Sequence, residues 1–262
     1  MALKSFTFNN IVSTDYGIMA SGNKTYNVPA RSFQTVSIPG RNAPVYLDNG
    51  RWNPVTIVYQ CSAYNGLKGN MQTFLAAISK DPGYHDLVDE WHPGITRKAF
   101  LASDVNVEAF ADRHGSFPLT FIARPEKWIN TTPTTITEST NFTNPTAFDA
   151  KPIITVTMAS GSTSGNLYVS RYVSGTRKDQ WKVTFSDVST DLIMNCETMD
   201  FYDSAGNNLN ANVKVQATIT SGEIDMQFPF FAGSSLSRVF TVDGGWDSAI
   251  ASVTVMPRWW TL

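Results

Sequence analysis

The chain has 262 residues, a formal net charge of −2 and a pI near 5.9. Charged residues are only 16% of it and hydrophobic residues 42%, which excludes general disorder and favours a β-rich protein. No basic run of five residues occurs, which argues against tight nucleic-acid binding, and the length suits two domains.

The first part of the chain, roughly residues 1–130, is predicted to consist mostly of β-strands. The stretch 31–40, RSFQTVSIPG, alternates apolar and polar residues and stops at a Pro-Gly turn. Asp48-Asn49-Gly50 lies between two β-prone runs and predicts a hairpin turn, because Asn-Gly accepts positive φ. KAFLASDVNVEAF and SFPLTFIARP add two more strands.

One helix interrupts these strands. The stretch 68–80, KGNMQTFLAAISK, carries apolar residues at helical spacing, and Asp81-Pro82-Gly83 ends it. Packing of this stripe against a sheet is favoured over a partner-binding groove. The stripe consists of Met71, Phe74, Leu75 and Ile78.

A threonine-rich stretch, INTTPTTITESTNFTNPT at 129–146, has the composition of a linker. It predicts a domain over 1–130, a linker over 131–146 and a second domain over 147–250. The second domain contains only short β-branched runs separated by Gly, Asn, Asp and Ser, the pattern of an antiparallel β-sandwich.

The two cysteines, Cys61 and Cys196, have no C-x-x-C partner and are expected to be buried thiols in a reducing compartment. The N-terminus lacks the apolar region of a signal peptide, so we expect synthesis in the cytoplasm as a soluble protein. The N-x-T sequons at Asn23, Asn130 and Asn141 are then not expected to be glycosylated, because glycosylation would require secretion.

Candidate chemistry is sparse. The histidines of HDLVDEWH are seven residues apart without a metal-binding pattern, so a polar, solvated connector is favoured; the residues concerned are His85, Asp86, Asp89, Glu90 and His92. His114 has no adjacent nucleophile motif. We therefore expect no catalytic residue, no metal and no cofactor, although a glycosidase-type carboxylate pair formed in three dimensions stays open.

Two tryptophans of the second domain, Trp181 and Trp246, suit either of two roles. They could stack on sugars, as aromatic residues do in lectin-like sandwiches, or fill the core, which is favoured.

The chain ends in MPRWWTL, and a frayed terminus would leave the two large apolar tryptophan side chains exposed to water. We therefore expect the end of the chain to be docked. Strand alternation puts one wholly apolar row on one face and a mixed row on the other. Because Pro257 cannot donate a ladder hydrogen bond, the strand is expected at a sheet edge. The apolar row is Val253, Val255, Pro257 and Trp259, and the mixed row is Thr254, Met256, Arg258 and Trp260.

Several stretches resemble one family in order and spacing, the distal tail proteins of siphophages. They are STDYGIMASG at 13–22, IPGRNAPVYLDNGRWNPVTIVY at 38–59, DPGYHDLVDEWHPGITRKAF at 81–100 and the ending PRWWTL, with a weaker match of FPFFAGSS at 228–235. Ala43-Pro44 replaces the Gly-Asp or Gly-Glu common in the family.

The resemblance implies a mainly β protein with two domains. The N-terminal belt domain, a β-sandwich or barrel with one helix and a hairpin, would assemble six copies into a ring around a channel for DNA. The C-terminal domain would be a galectin-like antiparallel β-sandwich. The strand at 251–262 would return to the belt domain, with Trp259 packed inside it.

The resemblance also implies partners and places. One face of the ring would meet the tail tube and the other the tail-associated hub protein, with the tape measure and receptor-binding proteins as further neighbours, at the tail tip of the virion. DNA would pass without specific binding, and no membrane is involved. Candidate structural or interface residues in the matching stretches are Tyr16, Gly17, Arg41, Arg51, Trp52, Arg258, Trp259 and Trp260.

Two other functions remain open. A carbohydrate-binding module or phage adhesin would need a row of sugar-contacting aromatics, but the galectin sugar-binding pattern is not recognisable. A β-sandwich hydrolase would need a carboxylate pair with perturbed pKa values in a cleft.

Overall fold

The computed structural model places the chain in two compact units, residues 1–129 with 262 and residues 130–261. The structure describes residues 3–21, 27–63, 67–102, 104, 108–110, 114–136, 140–173, 176–219, 229, 238–243 and 247–262.

The first unit is built from strands with one α-helix and a 3-10 turn at Ser13–Tyr16. In chain order its elements are β1 (Leu3–Lys4), β2 (Phe6–Phe8), β3 (Ile11–Val12), β4 (Ile18–Ser21), β5 (Arg31–Val36), β6 (Val45–Trp52), β7 (Val55–Ala63), α1 (Leu67–Ser79), β8 (His85–Asp89), β9 (Ile95–Leu101), β10 (Glu108–Phe110) and β11 (His114–Ile129).

An antiparallel sheet forms the centre of this unit, in the order β1-β4-β7-β11-β9-β8-β2-β3. Two further strands, β10 and the last strand of the chain, β22 (Trp260–Thr261), also pair with β11. Strand β7 alternates buried and exposed residues along its length, and one face of the sheet is therefore apolar. Aromatic side chains fill that face, and the ring of Phe6 stacks on Tyr59 with centroids 4.9 Å apart.

The predicted helix is confirmed as α1, and its apolar stripe covers this core. Phe74 and Ile78 are almost fully buried, while Met71 and Leu75 pack against the core at its margin. The stripe therefore supports the fold and does not present a groove.

Strands β5 and β6 form a two-stranded sheet of their own, which with the connecting loop we call the arm, Arg31–Trp52. The chain reverses at Pro39-Gly40, where Gly40 has φ +80° and the amide of Arg41 donates to the carbonyl of Ile38. The hairpin turn predicted at Asp48-Asn49-Gly50 is wrong, because β6 runs through these residues and the positive φ of Gly50 shapes a bulge instead.

The second unit contains strands, one 3-10 turn at Asn210–Asn212 and no α-helix among its described residues. Its strands are β12 (Thr134–Ile136), β13 (Thr140–Phe142), β14 (Ile153–Met158), β15 (Gly165–Val173), β16 (Thr176–Phe185), β17 (Leu192–Asn195), β18 (Asp200–Tyr202), β19 (Val213–Ile219), β20 (Arg238–Asp243), β21 (Ile250–Met256) and β22 (Trp260–Thr261).

Two five-stranded antiparallel sheets organise the second unit, in the orders β12-β21-β14-β17-β18 and β13-β20-β15-β16-β19. Each contributes alternating buried residues, as the two inner faces of a β-sandwich do. Those of the first sheet include Ile154, Val156, Met194, Val253 and Val255, and those of the second include Leu167, Val169, Trp181, Val183 and Phe185. The expectation of a mainly β fold with one helix is confirmed.

The threonine-rich stretch is not a linker. β12 pairs with β21 and β13 pairs with β20, so the stretch adds one strand to each sheet, and Ile136 and Phe142 are buried. Threonine is favoured in strands for its β-branched side chain, and this preference outweighs the turn-like composition.

The C-terminal stretch 251–262, expected to return to the belt domain as one strand, forms two strands in different sheets. β21 lies between β12 and β14 inside a sheet of the second unit, whereas β22 pairs with β11 in the sheet of the first unit. β21 is not an edge strand, because a strand pairs with it on each side. It ends at Met256, so Pro257 falls just beyond the ladder. The register shift lies at Ile250–Ser252, at the opposite end of β21.

Both cysteines are buried free thiols, as expected. Burial raises the pKa of Cys61 to about 12 and raises that of Cys196 as well. Neither thiol is therefore a nucleophile near neutral pH.

Candidate assembly surface

The arm exposes large apolar side chains to solvent. Five of them are 45–55% exposed, namely Phe33, Val36, Ile38, Tyr46 and Leu47. Surface hydrophobic residues are common singly, but a cluster on one small hairpin is a candidate surface for contact with another molecule.

These side chains occupy both faces of the arm. Residues paired across an antiparallel ladder share a face, and the pairs Thr35–Tyr46 and Phe33–Asp48 define the first. The rings of Phe33 and Tyr46 lie 5.0 Å apart on it. Leu47, opposite Gln34, lies on the second face. The presence of apolar side chains on both faces could have been found in the sequence. Phe33 and Val36 are an odd number of positions apart in one strand, so their side chains point to opposite faces.

A bulge shapes the base of the arm. Between the pairs Arg31–Trp52 and Phe33–Asp48, a single residue of β5 faces three residues of β6. Asp48 Oδ1 accepts the amide of Gly50 at 2.9 Å, and Asn49 Nδ2 donates to Ser32 Oγ at 3.0 Å.

Arg31 closes this bulge from the side. Its Nε lies 3.0 and 2.9 Å from the two oxygens of Asp48, and its Nη2 lies 2.7 Å from Oδ2. The guanidinium carbon is 4.9 Å from the ring centroid of Trp52. The hydrogen bond from Arg31 lowers the pKa of Asp48, and the same bond raises that of Arg31. Sequence reasoning missed Arg31 and Asp48, because a turn at Gly50 would have kept them apart.

The other candidate residues of the first unit fall into two groups. Arg41 lies in the loop of the arm and Arg51 on β6, both exposed, whereas Trp52 is half-buried under Arg31. Tyr16 is packed against the core, 5.5 Å from the ring of Phe74, and Gly17 caps the 3-10 turn with φ +69°.

The expectation that HDLVDEWH is a solvated connector is wrong. It contributes strand β8, and Asp89 is buried. Asp89 accepts hydrogen bonds from the Tyr59 hydroxyl at 2.7 Å and the His92 amide at 2.8 Å, and His92 Nδ1 lies 3.0 Å away. Burial, followed by the charge of Asp89, raises the pKa of Tyr59. The strand was missed because the buried carboxylate of Asp89 is satisfied by Tyr59, which lies far from it in the sequence.

In the second unit the core interpretation of Trp181 is confirmed, since it is fully buried. Its indole ring is therefore not accessible for stacking on a sugar. Trp246 and most of FPFFAGSS lie outside the described residues, as does the side chain of His114.

Two side chains near the end of the chain, Arg258 and Trp260, contact residues of the second unit. Arg258 pairs with Glu197 at 2.6 Å, and the indole of Trp260 stacks on Phe148 and donates to the carbonyl of Asp149 at 2.9 Å. Trp259 is only 8% exposed. The apolar row of the sequence analysis is buried throughout, as expected, and the mixed row is partly exposed.

No group of three or more His, Cys, Asp or Glu side chains is arranged to hold a metal ion within the described residues. Within the same part of the chain, no helix has the length and apolarity required to cross a membrane.

Comparison with solved structures gives an informative match. No protein-family model and no curated protein matches the sequence. A variant fructofuranosidase from Schwanniomyces occidentalis bound to fructosylnystose aligns over 86% of this chain and 59% of its own at 10% identity, but its TM-score of 0.18 carries no argument.

This chain is similar to the crystal structure of the Dit (gp 19.1) protein of phage SPP1, described as a paradigm of the hub adsorption apparatus in phages that infect Gram-positive bacteria. It covers 100% of both chains with a TM-score of 0.66 at 10% identity. The chain therefore has the fold of a siphophage distal tail protein, which confirms at the level of fold the resemblance seen in its sequence.

Proposed function

We propose that this chain is a structural protein of a phage tail tip, the hub in which six copies form a ring. The observation that carries the proposal is an arm with apolar side chains exposed on both faces, in a chain that shares the distal-tail fold over its full length.

A two-stranded hairpin is at best marginally stable alone in water. An arm that exposes Phe33, Tyr46 and Leu47 gains stability when another surface covers it. If that surface belongs to another copy, each chain gives an arm and receives one. Such head-to-tail contacts generate a ring when the rotation closes.

The number six, the partners and the location follow from the family resemblance. One side of the ring would meet the tail tube and the other the tail-associated hub protein, with the tape measure and receptor-binding proteins nearby. DNA would pass through the channel without specific binding, which suits a chain of net charge −2. The protein would be made in the host cytoplasm and reside at the virion tail tip, without catalytic activity.

Native mass spectrometry and negative-stain imaging of the purified chain test the ring. Six copies of 28.9 kDa give a species of about 173 kDa. The variant Leu47→Ser should weaken self-association at least about fivefold, the usual effect of truncating an interface anchor.

Met199→Ser is the matched control, since Met199 is a comparably exposed apolar residue of the second unit. It should leave assembly unchanged. A wild-type chain that stays monomeric at high concentration and gives no six-fold density in intact tails would refute the ring.

A further inference from the structure

We propose that the bulge at the base of the arm, closed by Arg31, Asp48 and Trp52, is a positioning device that holds the arm in its docking shape before another copy binds. The inference rests on the proposed function, because it concerns how the arm is prepared for assembly.

Extra residues on one strand of a ladder bend that strand and increase its twist, so a bulge at the base sets the direction of everything beyond it. Here β6 carries three residues opposite one of β5. The exposed apolar side chains, from Phe33 to Leu47, all lie beyond this point. Their orientation therefore depends on how the bulge is held.

Several contacts of different kinds hold the bulge. Gly50 has φ +70°, a conformation that glycine adopts without strain, and its amide is bound by Asp48. Asn49 binds Ser32, which is buried. The amide of Asn53 donates to the carbonyl of Ala30 at 2.9 Å and closes the base.

The residue at position 31 is an arginine, and its side chain makes two contacts that a lysine could not make together. The guanidinium of Arg31 binds both oxygens of Asp48 and lies against the ring of Trp52. Lysine cannot make both contacts, because its ammonium is a point charge without a planar fork. The pair is exposed, with side chains 38% and 41% accessible, so its contribution lies in geometry more than in strength.

A preformed arm has a consequence for assembly. Ordering a loop at the moment of binding costs free energy that is subtracted from affinity, and a segment ordered in advance avoids that cost. Disturbing the bulge should therefore weaken docking even though the apolar side chains that dock are unchanged.

The test combines hydrogen–deuterium exchange of the arm with a dissociation constant for self-association, measured on the full chain. Arg31→Lys should speed amide exchange in the arm and weaken association roughly two- to fivefold per interface, the range of an exposed ion pair. Arg177→Gln, which removes an exposed charge from β16, is the control for charge and should change neither.

Gly50→Ala tests the backbone separately, because an added Cβ meets nothing within 4 Å and only the positive φ is strained. Gly206→Ala has the same open space and φ +85° in the second unit, and it is the matched control. Gly50→Ala should affect exchange and association as Arg31→Lys does, and Gly206→Ala neither.

Faster arm exchange together with weaker association supports the proposal. Weaker association with unchanged exchange overturns it, because Arg31 would then be a direct contact. Faster exchange with unchanged association also overturns it, and so does no change in either. If the wild type does not associate, the proposed ring fails, and exchange alone then decides whether the bulge orders the arm.

Discussion

The indole of Trp260 stacks on the ring of Phe148, with centroids 4.4 Å apart and planes inclined by 20°. Its N–H also donates to the carbonyl of Asp149. Hydrogen bonds hold the segment that receives it. The amide of Thr146 donates to Asn144 Oδ1, and the Asn144 side-chain amide and the Thr146 hydroxyl donate to the carbonyl of Phe148. The last residues therefore pack against residues 144–149, which lie where the predicted linker at 131–146 was expected to join the second domain.

Trp260→Ala should destabilise the second unit by about 1–3 kcal/mol, less than a fully buried tryptophan because Trp260 is half-buried. Trp260→Phe keeps the stacking and loses the hydrogen bond, so it should cost about 1 kcal/mol. Chemical denaturation measures both. Equal stability of the alanine variant and the wild type would show that the stack adds nothing.

Deleting residues 257–262 should damage the second unit and not only the first, from whose sheet it removes β22. The deletion removes the buried Pro257 and Trp259 and the Arg258–Glu197 pair. Thiol labelling provides a separate reporter for each unit, because Cys61 lies in the first and Cys196 in the second. Faster labelling of Cys196 than in the wild type is expected. Faster labelling of Cys61 alone would restore the original expectation.

Tyr59→Phe should destabilise the first unit by about 1–3 kcal/mol, because it leaves a buried oxygen of Asp89 without its donor. Tyr16→Phe is the matched control in the same core and should stay within about 0.5 kcal/mol of the wild type. Denaturant unfolding followed by Cys61 labelling measures the difference. Equal effects of the two substitutions would mean that the Tyr59–Asp89 bond contributes nothing.

Features set by local pattern could be predicted from the sequence. The helical spacing of Phe74 and Ile78 identified α1 and its buried face. Strand alternation identified the buried row that ends in Trp259. Both depend only on neighbours within a few positions, where side-chain periodicity is decisive.

Features set by distant partners could not be predicted. Whether Thr134–Ile136 is a linker or a strand depends on β21, more than a hundred residues later. The positive φ of Gly50 was predicted correctly, yet this φ and the contact of its amide with Asp48 fit a bulge as well as a turn. Only the pairing of β6 with β5 distinguishes them, and pairing register is not local.

The arm should also respond to acid through Asp48. Its pKa is lowered in the folded chain, first by the hydrogen bond from Arg31 and then by that from the Gly50 amide. A carboxyl with a lowered pKa stabilises the folded arm above its unfolded pKa of about 3.9, and that contribution is lost as pH falls through the lower folded value. Arg31→Gln should therefore raise the pKa of Asp48 toward its ordinary value, as carboxyl-carbon NMR titration measures. Asp203 is the control within the same spectrum, because its pKa is lowered by Asn207 and nearby amides and should not move. An Asp48 pKa that is the same in variant and wild type would show that Arg31 does not hold this carboxylate in solution.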